Sequence, residues 1–311
     1  MKILITGISG GLARRVALQL LRAGHEILGL DRRPWPDAPP EVTLLRADMR
    51  KRPAEEFIRI HRPDALIHLA TVTFRTAPPE ERYRINLGGT KALYSYCQRY
   101  KVKQVIFVGR HTVYGAAPDV SLYRSEEDPP LATATYPELA DMVAADLFAA
   151  SALWRYPELE SAVLRLVYTL GPSQRGTLAG FLGSQEGSRV PMVLGFDPLF
   201  QLMHEADAVD AICLALARQL TGIYNVAGPP PIPLSALCRF AGRRPLSVPE
   251  PLLPLALSRF RRAPLPARAI NHLKYPVVVD DQLFRAATDF QSRYDLLQTV
   301  AAFREEGLYS H

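Results

Sequence analysis

The opening segment, Met1-Lys2-Ile3-Leu4-Ile5-Thr6-Gly7-Ile8-Ser9-Gly10-Gly11-Leu12-Ala13, constrains the fold of this 311-residue chain more than any other part. Lys2–Thr6 is short and apolar, as a strand covered on both faces must be, and the following glycines mark a tight turn into a helix over 12–23. Gly7 permits the turn, Gly10 lets backbone approach a ligand, and the small Ala13 lets the helix pack against the strand. Free N–H groups and partial positive charge at that helix start suit a pyrophosphate.

The same unit repeats along the chain. Further strands are expected over 26–30, 42–46, 65–69, 104–109 and 161–167, and helices over 54–61, 82–100 and 136–154. Strands alternating with helices at this spacing specify an α/β fold, a doubly wound parallel sheet. After Val167 the alternation stops and a Pro- and Gly-rich tail follows, with one more strand at Gly222–Val226. The division expected is 1–167 for the sheet domain and 168–311 for a smaller C-terminal α/β substrate lobe, with about 203–227 returning to the core.

Asp31 closes the second strand twenty-four residues after Gly7. A carboxylate there accepts from both adenosine ribose hydroxyls and repels a 2′-phosphate, which points to NAD. Arg32 and Arg33 follow at once and keep NADP open. The three cysteines, Cys97, Cys213 and Cys238, are odd in number and widely spaced, so buried thiols are expected rather than disulfides or a metal site. No apolar run spans a bilayer and the chain enters a strand at once, so a cytoplasmic protein with no leader is expected. The net charge of +6 concentrates at Arg239, Arg243, Arg244, Arg259, Arg261, Arg262, Arg268 and Lys274, against Glu250 alone. A solvated basic face is the reading adopted; nucleic acid is not an expected partner, because no stacking platform accompanies the charge.

Several motifs in order resemble those of the extended short-chain dehydrogenases/reductases of the NAD-dependent epimerase/dehydratase type, to which UDP-glucose 4-epimerase belongs. Thr6–Ala13 is similar to TGxxGxxG, Ala47-Asp48-Met49-Arg50 to GD[IV]R, Ile67-His68-Leu69-Ala70 to [VI]HLA, and Asn86–Thr90 to NVxGT. Val113-Tyr114-Gly115, Arg165 with Gly171-Pro172, His204-Glu205-Ala206-Asp207 and Tyr224–Gly228 complete the series. The resemblance implies a Rossmann sheet and a cofactor site at Gly7, Ser9, Gly10, Gly11, Leu12, Asp31, Arg32, Asp48, Met49, Leu69, Ala70 and Asn86. It also implies Tyr136 as the acid/base of the YxxxK motif.

The chain departs from that pattern at the chemistry. A phenol titrates near 10, and the family lowers it with a lysine four residues on; here that residue is Ala140. The family's substrate-orienting Ser or Thr corresponds to Arg110, its sugar-nucleotide Asn to Tyr168, and its diphosphate-gripping Arg to Phe200. A small-molecule substrate other than a typical nucleotide sugar is therefore expected. In one reading the site is rebuilt, with Arg110 as the cation beside Tyr136 and Thr112 as the hydroxyl; His111 is a further proton carrier that strand alternation turns away. In the other, catalysis is lost and the protein is an NAD(P)-binding scaffold or sensor whose basic lobe holds an anion. Among the bland roles, Arg110 pairs with an acid such as Asp141, His68 and His204 are structural, Asp207 anchors its own helix, and Trp35 and Trp154 pack. A homodimer is left open.

Overall fold

A computed structural model describes residues 1–72, 77–183, 187–259 and 267–305, without the side chains of 267 and 268. Its described residues build a seven-stranded sheet from β1 (Lys2–Thr6), β2 (Glu26–Asp31), β3 (Thr43–Arg46), β4 (Ala65–His68), β5 (Gln104–Arg110), β6 (Glu160–Leu166) and β7 (Gly222–Val226). The order is β7-β6-β5-β4-β1-β2-β3 and each neighbouring pair is parallel. Helices α1 (Gly11–Arg22), α2 (Arg52–His61), α3 (Pro79–Arg99), α4 (Ala140–Arg155) and α5 (Glu205–Ala217) cover it, α1 against α5 and α3 against α4. Both faces are buried, which is why Ile3, Leu4 and Ile5 are apolar in succession rather than alternating.

The expected helix over 136–154 begins only at Ala140. Pro137 lacks the N–H a continuing helix needs and biases Tyr136 out of the helical region, to φ −149° and ψ 76°. Tyr136 thus lies between a short turn at Ala132–Thr135 and a 3₁₀ turn at Pro137–Leu139.

Beyond β6 the chain pairs Tyr168–Leu170 with Leu202–His204, Arg189–Val193 with Arg244–Val248, and Leu199–Phe200 with Ile232–Pro233. Leu170, Leu182, Met192, Leu237 and Phe303 belong to a core of their own. Arg243 does not join a solvated basic face: it is buried and donates to the carbonyls of Leu182 and Gly183, over the ring of Phe303. Arg261 and Arg262 lie outside the described residues, as does the side chain of Arg268. Trp35 is buried, but Trp154 is 77% exposed at the solvent side of α4, so its expected packing role fails. Asp207 also differs. Its carboxylate accepts from the backbone N–H of Arg293 and Tyr294, anchoring the C-terminal segment rather than its own helix, which His204 caps through Nδ1.

A buried polar network joins four elements. Arg165 on β6 is paired with Asp146 on α4 at 2.6 Å and donates to the Tyr114 hydroxyl, which donates to Asn225 on β7. Burial opposes the guanidinium's charge, but Asp146 and Tyr114 outweigh it and raise its pKa. His68 is equally enclosed: Nδ1 meets the Thr6 hydroxyl at 2.6 Å and Nε2 meets Thr90 at 3.0 Å. Thr90 spends its own proton on the Asn86 carbonyl, so it accepts from Nε2–H, and His68 is neutral with Nδ1 as acceptor. Burial lowers its pKa to about 4.

Asp146→Ala leaves Arg165 buried without a partner and should destabilise the fold by about 3–5 kcal/mol, read as a lower urea midpoint. Because His68 binds its proton less readily folded than unfolded, the unfolded chain holds more protons between about pH 4 and 6.5, and stability rises with pH there. Urea titrations at pH 7 and 5 should differ by on the order of 2 kcal/mol from this residue, and His68→Gln should shrink that difference.

Candidate functional site

The carboxyl ends of parallel strands converge where the sheet order reverses, between β1 and β4, and a cavity of about 530 Å³ opens there. Its floor is the glycine turn. Gly7 has φ +73°, and a Cβ on it would stand 2.8 Å from the Ala70 backbone, so the turn excludes every other residue. Gly10 precedes α1 as its cap without a side-chain acceptor, leaving the first N–H groups of the helix to face the cavity. Gly10, Gly11, Leu12 and Leu69 line it, while Ala70 forms the close contact with Gly7.

Asp31 ends β2 beside this turn, its oxygens accepting from Ser9 N at 3.1 Å and Arg33 N at 2.9 Å. Those donors hold the carboxylate fixed. Ser9 Oγ donates to the Arg33 carbonyl, and the Arg32 guanidinium turns outward to Glu81. These residues fit the adenosine ribose and pyrophosphate of NAD. Asp48 accepts from Arg50, which with lesser help from Arg32 brings its pKa to about 2, burial opposing. Met49 packs against Gly89, where a Cβ would meet its side chain at 2.3 Å. Asn86 is spent on structure: its amide exchanges hydrogen bonds with the backbone of Val72 and donates to Asp141.

Tyr136, Arg110 and Thr112 all line the cavity, with His111, Tyr168 and His272. The Tyr136 ring is 8% exposed and meets the His272 ring edge-on at 5.4 Å. Strand β5 ends at Arg110 and the chain turns into a 3₁₀ segment over His111–Tyr114, so Thr112 lies on that turn and not on the strand. The same turn removes the alternation that was to point His111 away, and its ring is brought to the cavity. Asp141 does not pair with Arg110: it is taken by Arg82 at 3.3 Å and by Asn86. Burial lowers the pKa of Arg110, with Tyr168 opposing. Burial pushes the Tyr168 phenol up to about 12, with Arg110 opposing.

Tyr168 and Phe200, the two substitutions at the family's sugar-nucleotide positions, stack on each other with centroids 5.7 Å apart. They give the cavity an aromatic wall where two polar groups were lost. Across the mouth, Arg15 of α1 pairs with Glu205 of α5, which also accepts from Ser173. His272, Glu138 and Arg175 line the cavity without any forewarning in sequence spacing. Among the described residues no group of three or more His, Cys, Asp or Glu could hold a metal, and no helix is long and apolar enough to cross a membrane.

Known proteins place this geometry. An uncharacterised protein of Mycobacterium tuberculosis is 27% identical over 267 residues, covering 84% of this chain and 69% of its own. UDP-glucose 4-epimerase of Klebsiella pneumoniae is 34% identical over 139 residues, 40% of this chain and 100% of that sequence. Among solved structures, MoeE5 in complex with UDP-glucuronic acid and NAD superposes with TM-score 0.78 at 20% identity, and Thermus thermophilus UDP-glucose 4-epimerase complexed with NAD with 0.78 at 19%; each covers 100% of both chains. The family model of the NAD dependent epimerase/dehydratase family matches residues 3–227, from the first residues of β1 to the end of β7. A match of that extent, running through the glycine turn, the Tyr114 motif and the Arg165 network, makes this chain a member of the NAD dependent epimerase/dehydratase family.

Proposed function

We propose that the protein is an NAD-dependent oxidoreductase or epimerase acting at a secondary alcohol or ketone, with Tyr136 as the proton carrier of a rebuilt site. The observation that carries this reading is the meeting of Tyr136, Arg110 and the glycine turn in one cavity. Bound NAD supplies hydride acceptance and return. The chain's own part is to hold the pyrophosphate at α1, fix the ribose through Asp31, and exchange a proton between the Tyr136 phenol and the substrate oxygen. Thr112 offers that oxygen a hydroxyl from the turn after β5. Arg110 gives the cavity the positive charge that Ala140 no longer brings, and a cation in a water-poor site acts at longer range than in solvent.

The Tyr168–Phe200 wall supports a substrate other than a typical nucleotide sugar, since the family's sugar-nucleotide Asn and diphosphate Arg are both replaced by rings. UDP-sugars bound in the structural neighbours argue for including them among the compounds tried. Ala140 supports the second reading, a noncatalytic NAD-binding scaffold or sensor, but the burial of Arg243 weakens the basic lobe invoked with it.

Titration calorimetry should find NAD binding, and Asp31→Ala should weaken it about tenfold while narrowing the preference over NADP. With a turned-over alcohol, Tyr136→Phe should lower kcat by about 10²–10⁴; unchanged turnover would remove Tyr136 from the mechanism. Turnover should rise from pH 6 to 10, because the phenolate is the base. If instead the wild type is inert and the double change Arg110→Ser with Ala140→Lys creates activity, the scaffold reading is correct.

A further inference from the structure

The cavity holds more polar capacity than the protein itself uses. Among the described residues no carboxylate lies within ion-pair distance of Arg110, and three nearby acids are engaged elsewhere. Asp141 is bound by Arg82 and Asn86, Asp146 by Arg165, and Glu205 by Arg15 and Ser173. Glu138, the remaining acid on the cavity wall, has its Oε2 buried without a partner and does not reach Arg110. A partly desolvated guanidinium in this state calls for an external anion.

Two imidazoles of the same cavity are also incomplete. His111 is 1% exposed, and its Nδ1 stands 3.1 Å from the Leu166 carbonyl. A carbonyl only accepts, so Nδ1 carries the proton and Nε2 of the neutral ring is an acceptor. That Nε2 is buried and has no partner; the same is true of Nε2 of His272, whose ring faces Tyr136. Burial lowers both imidazoles, to about 3 and about 4, so neither supplies a second cation at neutral pH. Buried polar atoms are almost always satisfied in folded proteins, and these two belong to residues that line the cavity from separate elements. The missing partner carries an anion for Arg110 and, beside it, an O–H for His111 Nε2.

We propose that the substrate is a hydroxycarboxylate, its carboxylate bound by Arg110 and a neighbouring hydroxyl donating to His111 Nε2. The Tyr168–Phe200 pair then packs on the carbon skeleton, and a planar guanidinium suits a carboxylate through two parallel hydrogen bonds. This deepens the proposed function in that it assigns a substrate class to the same cavity.

The test is calorimetry on the NAD-saturated protein with pairs that differ only in the carboxylate: glucuronate and glucose, lactate and propane-1,2-diol, UDP-glucuronate and UDP-glucose. In at least one pair the acid should bind at least tenfold more tightly than its neutral partner. Arg110→Gln should erase that ratio by weakening the acid far more than its neutral partner, and Arg110→Lys should keep part of it. His111→Phe should weaken lactate but not its deoxy analogue propionate. Ratios near one in every pair, a ratio untouched in Arg110→Gln, or no binding by any compound overturns the proposal. Folding of the variants is read from far-UV circular dichroism and NAD affinity. No step needs turnover, so an acid preference in a protein indifferent to Tyr136→Phe would sink the catalytic reading alone.

Discussion

The buried pair of Arg165 and Asp146 is the constraint on which the rest of the site depends. Removing a guanidinium and a carboxylate from water is unfavourable, and the pair is sustained by additional partners, Tyr114 and through it Asn225. These come from β6, α4, the turn after β5 and β7, so one network fixes the relative positions of the elements that carry Arg110, Tyr136 and Tyr168. Gly109 belongs to it by what it lacks: a Cβ there would stand 3.1 Å from the Asp146 carboxylate. The cavity end of β5 is thus set in part by electrostatics.

The sheet and the cofactor turn were legible because their causes are local. A strand buried on both faces must be apolar throughout, and the turn at Gly7 admits no Cβ, so sequence and geometry state the same requirement. Pro137 was a readable signal against a helix through Tyr136, but the apolar periodicity on either side of it hid the break.

The far side of the cavity was less legible, because its geometry depends on where elements end and on distant contacts. Whether His111 faces the cavity turns on β5 stopping at Arg110 rather than two residues later. Tyr168 and Phe200 can each be recognised as a substitution, yet their stacking follows from the pairing of Tyr168–Leu170 with Leu202–His204, which no local pattern announces. His272 reaches Tyr136 from the far end of the chain, and a lone histidine in a Pro-rich tail carries no spacing from which to infer it. Arg110 and Asp141 illustrate competition: a half-buried cation and a buried acid were candidates for each other, and Arg82 takes the acid first.

The uncapped start of α1 links ligand to fold. With Gly10 offering no side-chain acceptor, the helix start lacks a side-chain cap, and a pyrophosphate held there would act as the cap that the sequence omits. A ligand that completes a helix binds the folded chain and not the unfolded one, so the unfolding free energy grows with the free dinucleotide concentration, by about 2.7 kcal/mol at a hundred times Kd. The stability of this protein is in that sense a property of the solution it inhabits, rising and falling with the dinucleotide pool.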